Sequence, residues 1–206
     1  MLISLDKIVK DFNSEIRGVI HIGAHFGQEC DAYIEQGIKN LMFFEPIAAN
    51  YKKLLANLPK GGNIKTFNNA LGNYTGTKVM YVETDNDGQS CSLLAPGTHL
   101  SLYPNIKFDK SEVVWVDKLD QIPFDRGLYN MINIDVQGYE LEVFRGAANT
   151  LRNIDIVYTE INTEAVYKGC PLIADIDAFL RTYGMERIMT HFPCRAWGDA
   201  YYKRIR

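Results

Sequence analysis

The run Gly18-Val19-Ile20-His21-Ile22-Gly23-Ala24-His25-Phe26-Gly27 sets a short, almost wholly apolar stretch directly against a turn holding two glycines. Apolar residues without alternation read as a strand covered on both faces, and the glycines supply the backbone freedom that a tight turn needs. The helix that follows stops near Gly37, a usual helix terminator. Strand, glycine turn and helix make one βα unit, and the same rhythm spreads outward from it. Downstream, 41–45 reads as a second buried strand. Pro46 opens the next helix, where its fixed φ and missing N–H are tolerated, and Tyr51, Leu54, Leu55 and Leu58 give that helix an apolar stripe. A third strand is expected over 64–71. Upstream, Ser4 caps an N-terminal helix within 1–16, with Leu5, Ile8, Val9 and Phe12 on one face, read as a lid or edge helix.

Further β-rich runs at 78–83 and 113–116 flank a polar stretch, 84–111. A loop that long inside a compact domain usually serves function, so it is read as a lid over the site. The second half resumes the βα rhythm: strand 129–135, helix 138–151, strand 155–160 and helix 173–183. Two last strands, 185–190 and 200–205, are separated by a connector that contains Pro193 and Gly198 and is too short for a parallel crossover, so they pair antiparallel. The class is α/β, a mostly parallel sheet with helices on both faces and a C-terminal antiparallel hairpin.

Composition agrees with one domain over 1–206. The chain has 206 residues, 47% hydrophobic and 23% charged, with a net charge of −3. That balance excludes disordered and fibrous classes, and no basic stripe offers a grip on nucleic acid. Cys30, Cys91, Cys170 and Cys194 are scattered without a CxxC pair, as reduced thiols would be. Asp6, Lys7 and Lys10 interrupt what would be the core of a signal peptide, and no apolar run approaches about 18 residues. A cytoplasmic protein without a membrane partner is expected.

In open α/β sheets, ligands bind outside the carboxyl ends of the strands. A dinucleotide fingerprint would place glycines at 23, 25 and 28, whereas this chain has Gly23, His25 and Gln28, with its second glycine at 27. A side chain at 25 opposes a pyrophosphate and favours a nucleoside without one. Glu45 ends the second strand about 20 residues on, where an acid takes a ribose diol; it equally suits a cap on the helix opened by Pro46. Asn69 and Ala70 can flank an adenine, though Asn is also common in turns. An adenosine held by ribose and base suggests S-adenosylmethionine.

With these residues in place, the chain resembles the FkbM-type methyltransferases. The resemblance is carried by the 19–27 turn, Phe44-Glu45-Pro46, Asn69-Ala70-Leu71-Gly72 and Gln89-Ser90-Cys91-Ser92-Leu93. It continues through Val116-Asp117-Lys118-Leu119-Asp120, Ile134-Asp135-Val136-Gln137-Gly138-Tyr139-Glu140, Tyr158-Thr159-Glu160-Ile161-Asn162 and Trp197-Gly198-Asp199-Ala200. It implies a Rossmann-like class I methyltransferase sandwich with a seven-stranded sheet, S-adenosylmethionine as cofactor, and a hydroxyl acceptor on a sugar, glycan or small metabolite. The implied cofactor-binding set is His21, Gly23, Ala24, His25, Gly27, Glu45, Pro46, Asn69, Ala70, Ser90, Asp135 and Gln137. The family usually has an acid at 21 and often Asn at 25. His21 would receive the cofactor's α-amino group only as neutral imidazole, with part of that contact moving to Asp135 or a backbone carbonyl. Either histidine also reads as a packed residue of the turn.

Methyl transfer to an alcohol is helped by a base. Asp135, ending the strand beside the first, is the leading candidate, with a cap on the helix at Gly138 as its structural alternative. Glu160 ends the next strand, followed by Asn162 and Glu164, a polar rim for a hydroxylated acceptor. His99, in the long loop with Tyr103, and His191 are alternative bases, and Trp197 is either a sugar platform or core. Asp135, Glu160 and a histidine would suit magnesium or manganese, but the spacing demands no metal and none is assigned. The competing readings are a nicotinamide-dependent oxidoreductase and a cofactor-binding module without turnover. Oligomeric state is not legible.

Overall fold

Gly18–Ile22 (β1) is buried along its whole length because strands lie on both of its edges and helices cover both of its faces. In the computed structural model, which describes residues 1–12 and 15–205, the chain begins with α1 (Leu5–Phe12) and β1. Then come α2 (Cys30–Glu35), β2 (Asn40–Phe44), α3 (Ala48–Asn57), β3 (Asn63–Phe67), β4 (Ala70–Leu71), β5 (Gly76–Val82), α4 (His99–Leu102) and β6 (Lys110–Asp117). The second half holds β7 (Met131–Ile134), α5 (Glu140–Arg145), β8 (Ile156–Asn162), α6 (Ile173–Arg181), β9 (Met185–His191) and β10 (Trp197–Arg204).

Seven strands form one sheet in the order β3-β2-β1-β7-β8-β10-β9. β1 pairs in parallel with β2 and β7, and β10 runs antiparallel to both β8 and β9. The parallel sheet, the covering helices and the terminal hairpin are as the sequence led us to expect. One face packs on α1, α2 and α3 through Leu5, Ile8, Phe12, Cys30, Tyr33 and Leu54; the other packs on α5 and α6 through Val143, Phe144, Ile176 and Leu180.

Three expectations need correction. The strand expected over 64–71 is broken: Asn68 donates to the Glu45 and Pro46 carbonyls at 2.9 and 3.1 Å, and the chain leaves the large sheet there. Its continuation, β4, joins a second sheet of three strands in the order β4-β6-β5, which absorbs the runs at 78–83 and 113–116. Met80, Val82, Val114 and Val116 of that sheet share a core with Ile20 and Ile22, so the two sheets belong to one packed body. The helix expected over 138–151 is only α5, because a Cβ on Gly146 would stand 1.8 Å from the Gly72 carbonyl oxygen, and the chain must turn where it meets that backbone.

The stretch 84–111 is a fixed wall more than a free loop. Gly97 and His99 donate backbone N–H groups to Val166 O at 2.8 and 3.1 Å, and Lys168 N donates to Ala95 O at 2.8 Å. Within 1–16 the helix is α1, with Ser4 Oγ accepting from Lys7 N at 3.4 Å as the cap, while positions 13 and 14 lie outside the described residues. Its apolar face covers the sheet and does not roof the site. No described helix is long and apolar enough to cross a membrane.

Candidate active site

A cavity of about 420 Å³ opens at the carboxyl ends of β1, β2, β7 and β8, within the size range of small-molecule sites. His21, Gly23, Ala24, His25, Glu45, Pro46, Asn69 and Ala70 line one side, and Ser90, His99, Asp135, Gln137 and Glu160 the other. Gly27 is the exception within the implied cofactor-binding set. It turns the chain at φ +78° against α3, where a Cβ would stand 2.7 Å from Leu54 Cδ1, and it does not border the cavity.

The β1–β2 side is built from backbone. Gly23 and Ala24 both donate to the Phe44 carbonyl, at 3.0 and 2.9 Å, folding the turn over the end of β2. Gly23 has φ +80°, and a Cβ there would lie 1.8 Å from the Asp135 carbonyl oxygen, so no other residue fits between β1 and β7. Glu45 is buried with one oxygen accepting from His25 N and the other from Ile47 N, both at 2.9 Å. It therefore ties the turn to the start of α3 and, with the Asn50 side chain as a third donor, keeps room for one more. Burial pushes its carboxyl up to about 7, although these hydrogen bonds act the other way.

Both histidines of the turn have structural partners. His25, at φ +49°, accepts from Gln28 Nε2 at 2.8 Å and donates through Nε2 to the Asp87 carbonyl at 2.7 Å, pinning the turn to the long wall. His21 lies 3.3 Å from the Tyr33 hydroxyl through Nδ1 and 3.4 Å from Asn133 Nδ2 through Nε2. Burial pulls its pKa down to about 4, so the imidazole is neutral. Although it borders the cavity, both ring nitrogens face core partners, which leaves little for an ammonium group. Asn69 Nδ2 donates at 3.1 Å to Ala70 O and to Asp117 Oδ2, fastening the end of β4 to β6.

The β7–β8 side is built from acids. Asp135 Oδ1 and Glu160 Oε2 accept from the same Gln137 Nε2, at 2.7 and 2.8 Å. Glu140 Oε1 accepts from Val136 N and Gly138 N, both at 3.1 Å. Glu140 thus folds back onto the turn ahead of α5, and the cap on α5 that was the structural alternative for Asp135 is not formed, because the N-cap position, Tyr139, has no side-chain cap bond. The three carboxylates lie within 4.8 Å of one another, and Asp199 of β10 stands in register with Glu160. Asp135 is the exposed member of the three, opening into the cavity; its enclosure there, followed by the charge of Asp199, lifts it to about 6, against the pull of the Gln137 hydrogen bond. Burial also lifts Glu140 to about 7 and Glu160 well above the usual carboxylate range, with Asp135 and the other acids adding to Glu160. Oxygen donors so grouped would suit a hard divalent cation, yet the Gln137 amide and two backbone N–H groups already engage all three.

Among the other expected residues, His99 is buried between Tyr103, Phe108 and Tyr167, and its Nδ1 has no partner among the described residues. Burial holds it below the usual histidine range. Trp197 borders the cavity and donates its indole N–H to Tyr103 Oη at 2.7 Å. His191 and Asn162 do not line the cavity, and Glu164 pairs with Arg195 Nε at 2.8 Å. Sequence reasoning missed Glu29, Asp199 and Tyr158 on the floor, where Tyr158 donates to Asp199 and Leu2 N donates to both, at 2.7 Å to Tyr158 and 2.8 Å to Asp199. It also missed Tyr167, which stands behind Gln137; Tyr158 and Asp199 lie in runs quoted for the resemblance, whereas no local pattern announces Glu29 or Tyr167.

A family model described as the methyltransferase FkbM domain matches residues 21–186. The 2-O-methyltransferase NoeI of Sinorhizobium fredii is 26% identical over 198 residues, 91% of this chain and 79% of that protein. Among solved structures, a Listeria monocytogenes protein assigned to the S-adenosylmethionine-dependent methyltransferases superposes with a TM-score of 0.56 at 8% identity, covering 97% of each chain. Magnesium protoporphyrin IX methyltransferase of Synechocystis, solved with bound S-adenosylmethionine, gives 0.53 at 10% identity over 97% of this chain and 77% of that one. At such identities the structural likeness speaks for the fold.

Proposed function

The chain belongs to the methyltransferase FkbM domain family, and from that premise we propose that it transfers a methyl group from S-adenosylmethionine to a hydroxyl of a sugar, glycan or related small metabolite. The observation that carries this reading is one continuous cavity with a buried, incompletely engaged Glu45 at one end and the Asp135–Glu160 pair at the other. When bound, the cofactor supplies a methyl group activated by a positively charged sulfur.

The chain's own residues suit the two ends of such a ligand. Glu45 offers its remaining acceptor position to a ribose hydroxyl, beside the backbone turn at Gly23 and Ala24, and Asn69-Ala70 border the place for a base. A floor holding Glu29, Asp135, Glu160 and Asp199 suits the cationic end, with Asp135 and its neighbours in the part first assigned to His21. Asp135 then takes the proton of the acceptor hydroxyl. A carboxyl at about 6 is ionised at neutral pH and a stronger base than an ordinary aspartate, which is what general base catalysis needs. Glu160 accepts from the same Gln137 amide and serves as a hydrogen-bonding neighbour. Holding donor and acceptor in line contributes about 7–11 kcal/mol in favourable cases, and Trp197, Tyr103 and His99 give the acceptor an aromatic wall to rest on.

The 2-O-methyltransferase name of the relative from Sinorhizobium fredii supports oxygen as the accepting atom. A second reading, a cofactor-binding protein without turnover, draws on His21, whose nitrogens face inward. Saturating S-adenosylmethionine should raise the melting temperature, Glu45→Ala should remove that rise, and labelled methyl should pass from the donor to a member of a sugar and glycan panel. Unchanged melting of the wild type with the donor present overturns the proposal; binding without transfer to any hydroxylated acceptor favours the second reading.

A further inference from the structure

Asp135 and Glu160 share a single neutral donor, the Gln137 amide, and that amide is itself held from behind. Gln137 has φ +55°, in the left-handed region that a residue with a side chain adopts at a cost of about 1–3 kcal/mol. Its backbone carbonyl accepts from Ser92 Oγ at 2.7 Å, and its Oε1 accepts from the Tyr167 hydroxyl at 2.7 Å. With the amide oxygen turned toward Tyr167, both N–H bonds point at the two carboxylates.

Tyr167 is fully buried and does not line the cavity, so it touches no ligand there. Its ring is fixed by His99 and Phe108 at centroid distances of 5.5 and 6.4 Å, and its hydroxyl also lies 2.9 Å from Ser90 O. One hydroxyl hydrogen thus serves two acceptors, one on the 84–111 wall and one on the Gln137 amide.

We infer that Tyr167 is a positioning residue: acting through Gln137, it fixes the Asp135 and Glu160 carboxylates in the cavity and favours their ionised forms. The inference rests on the methyl-transfer reading above. The charged groups that face Asp135 are Glu160, Glu140, Asp199, Glu29 and the Met1 amino group; Glu140, Asp199 and Asp135 face Glu160. Most of these are acids, so the carboxylate pair depends on a well-aimed neutral donor to keep its charge. Loosening that donor lets both groups take up protons at higher pH.

The test is calorimetric titration with S-adenosylmethionine from pH 5 to 8. A cationic ligand prefers ionised carboxylates, so wild-type affinity should fall as the pH drops through the protonation of the pair. Tyr167→Phe keeps the ring and removes the hydroxyl. It should move that fall to higher pH and weaken binding about 3- to 10-fold at pH 6.5, the range set by one hydrogen bond, with little effect at pH 8. Gln137→Gly, which accepts a positive φ, should displace the curve at least as far, and adding Tyr167→Phe to it should change nothing more. Superimposable wild-type and Tyr167→Phe curves overturn the inference, and so does a lower melting temperature without a displaced curve, since that is packing alone. A wild-type affinity independent of pH overturns it too, while the donor-binding reading survives. Absence of wild-type binding at every pH sinks the methyl-transfer reading itself.

Discussion

On the β1–β2 side of the cavity, partners of the turn's backbone N–H groups come from the turn itself or from the strand beside it: Gly23 and Ala24 meet Phe44, and His25, like Ile47, meets Glu45. On the β7–β8 side they come from far along the chain: Gln137 meets Ser92 and Tyr167, Glu160 faces Asp199, and Trp197 meets Tyr103. The first half is thus a matter of backbone geometry and tolerates no added atom. The second is a matter of side-chain chemistry, where a substitution can leave the fold intact and still change what the site does.

The contrast predicts different kinds of damage. Gly23→Ala should be the most severe, because it adds an atom 1.8 Å from the Asp135 carbonyl at a positive φ. Strain and overpacking together cost about 4 kcal/mol, or a drop of about 10 °C in melting temperature for a chain this size. Donor binding should be lost with it. A stable Gly23→Ala protein would break the comparison. Asp135→Asn should do the reverse, lowering turnover about a hundredfold or more, at least about 3 kcal/mol of barrier, and lowering it more than donor affinity, while melting temperature changes little. A wild-type rate in that variant would remove Asp135 from the chemistry.

The smallest of these effects lies in the pH dependence of stability. His21 titrates near 4 in the folded protein against an ordinary value of 6.5, so the unfolded chain takes up the proton first as pH falls. Its contribution is complete above 6.5 and is lost toward 4, amounting to about 2 kcal/mol by pH 5. Glu45 has the opposite sign. With a folded value near 7 against an ordinary 4.5, its contribution is complete below 4.5 and is lost as pH rises through 7. Subtracting the stability curve of His21→Gln from that of the wild type should isolate the first trend; a flat difference between pH 4 and 6.5 would show that the imidazole is not held neutral.

Legibility in the sequence follows the same division. The run 18–27 declares a strand and a turn because hydrophobic pattern and glycine chemistry are local, and Glu45 follows because it ends the next strand. The short connector before β10 forces an antiparallel end by length alone. What stayed hidden depends on distant backbone. The break at Asn68 exists because the Glu45 and Pro46 carbonyls lie within reach, and α5 is cut short because Gly146 meets Gly72. Asp135 and Glu140 stand in one quoted run, but that Asp135 shares the Gln137 amide while Glu140 takes the Val136 and Gly138 N–H groups is decided by side-chain direction, and Tyr167 enters only through folding.

The acid-lined floor has a consequence for the order of events. Negative groups hold a cation better than a neutral molecule, and on the proposed reaction the ligand's sulfur surrenders its charge at the instant the methyl departs. Spent donor therefore sits in a pocket whose electrostatic attraction has just weakened, while Asp135 has been neutralised by the acceptor's proton. The features that gather the reagent also hasten the exit of its remnant.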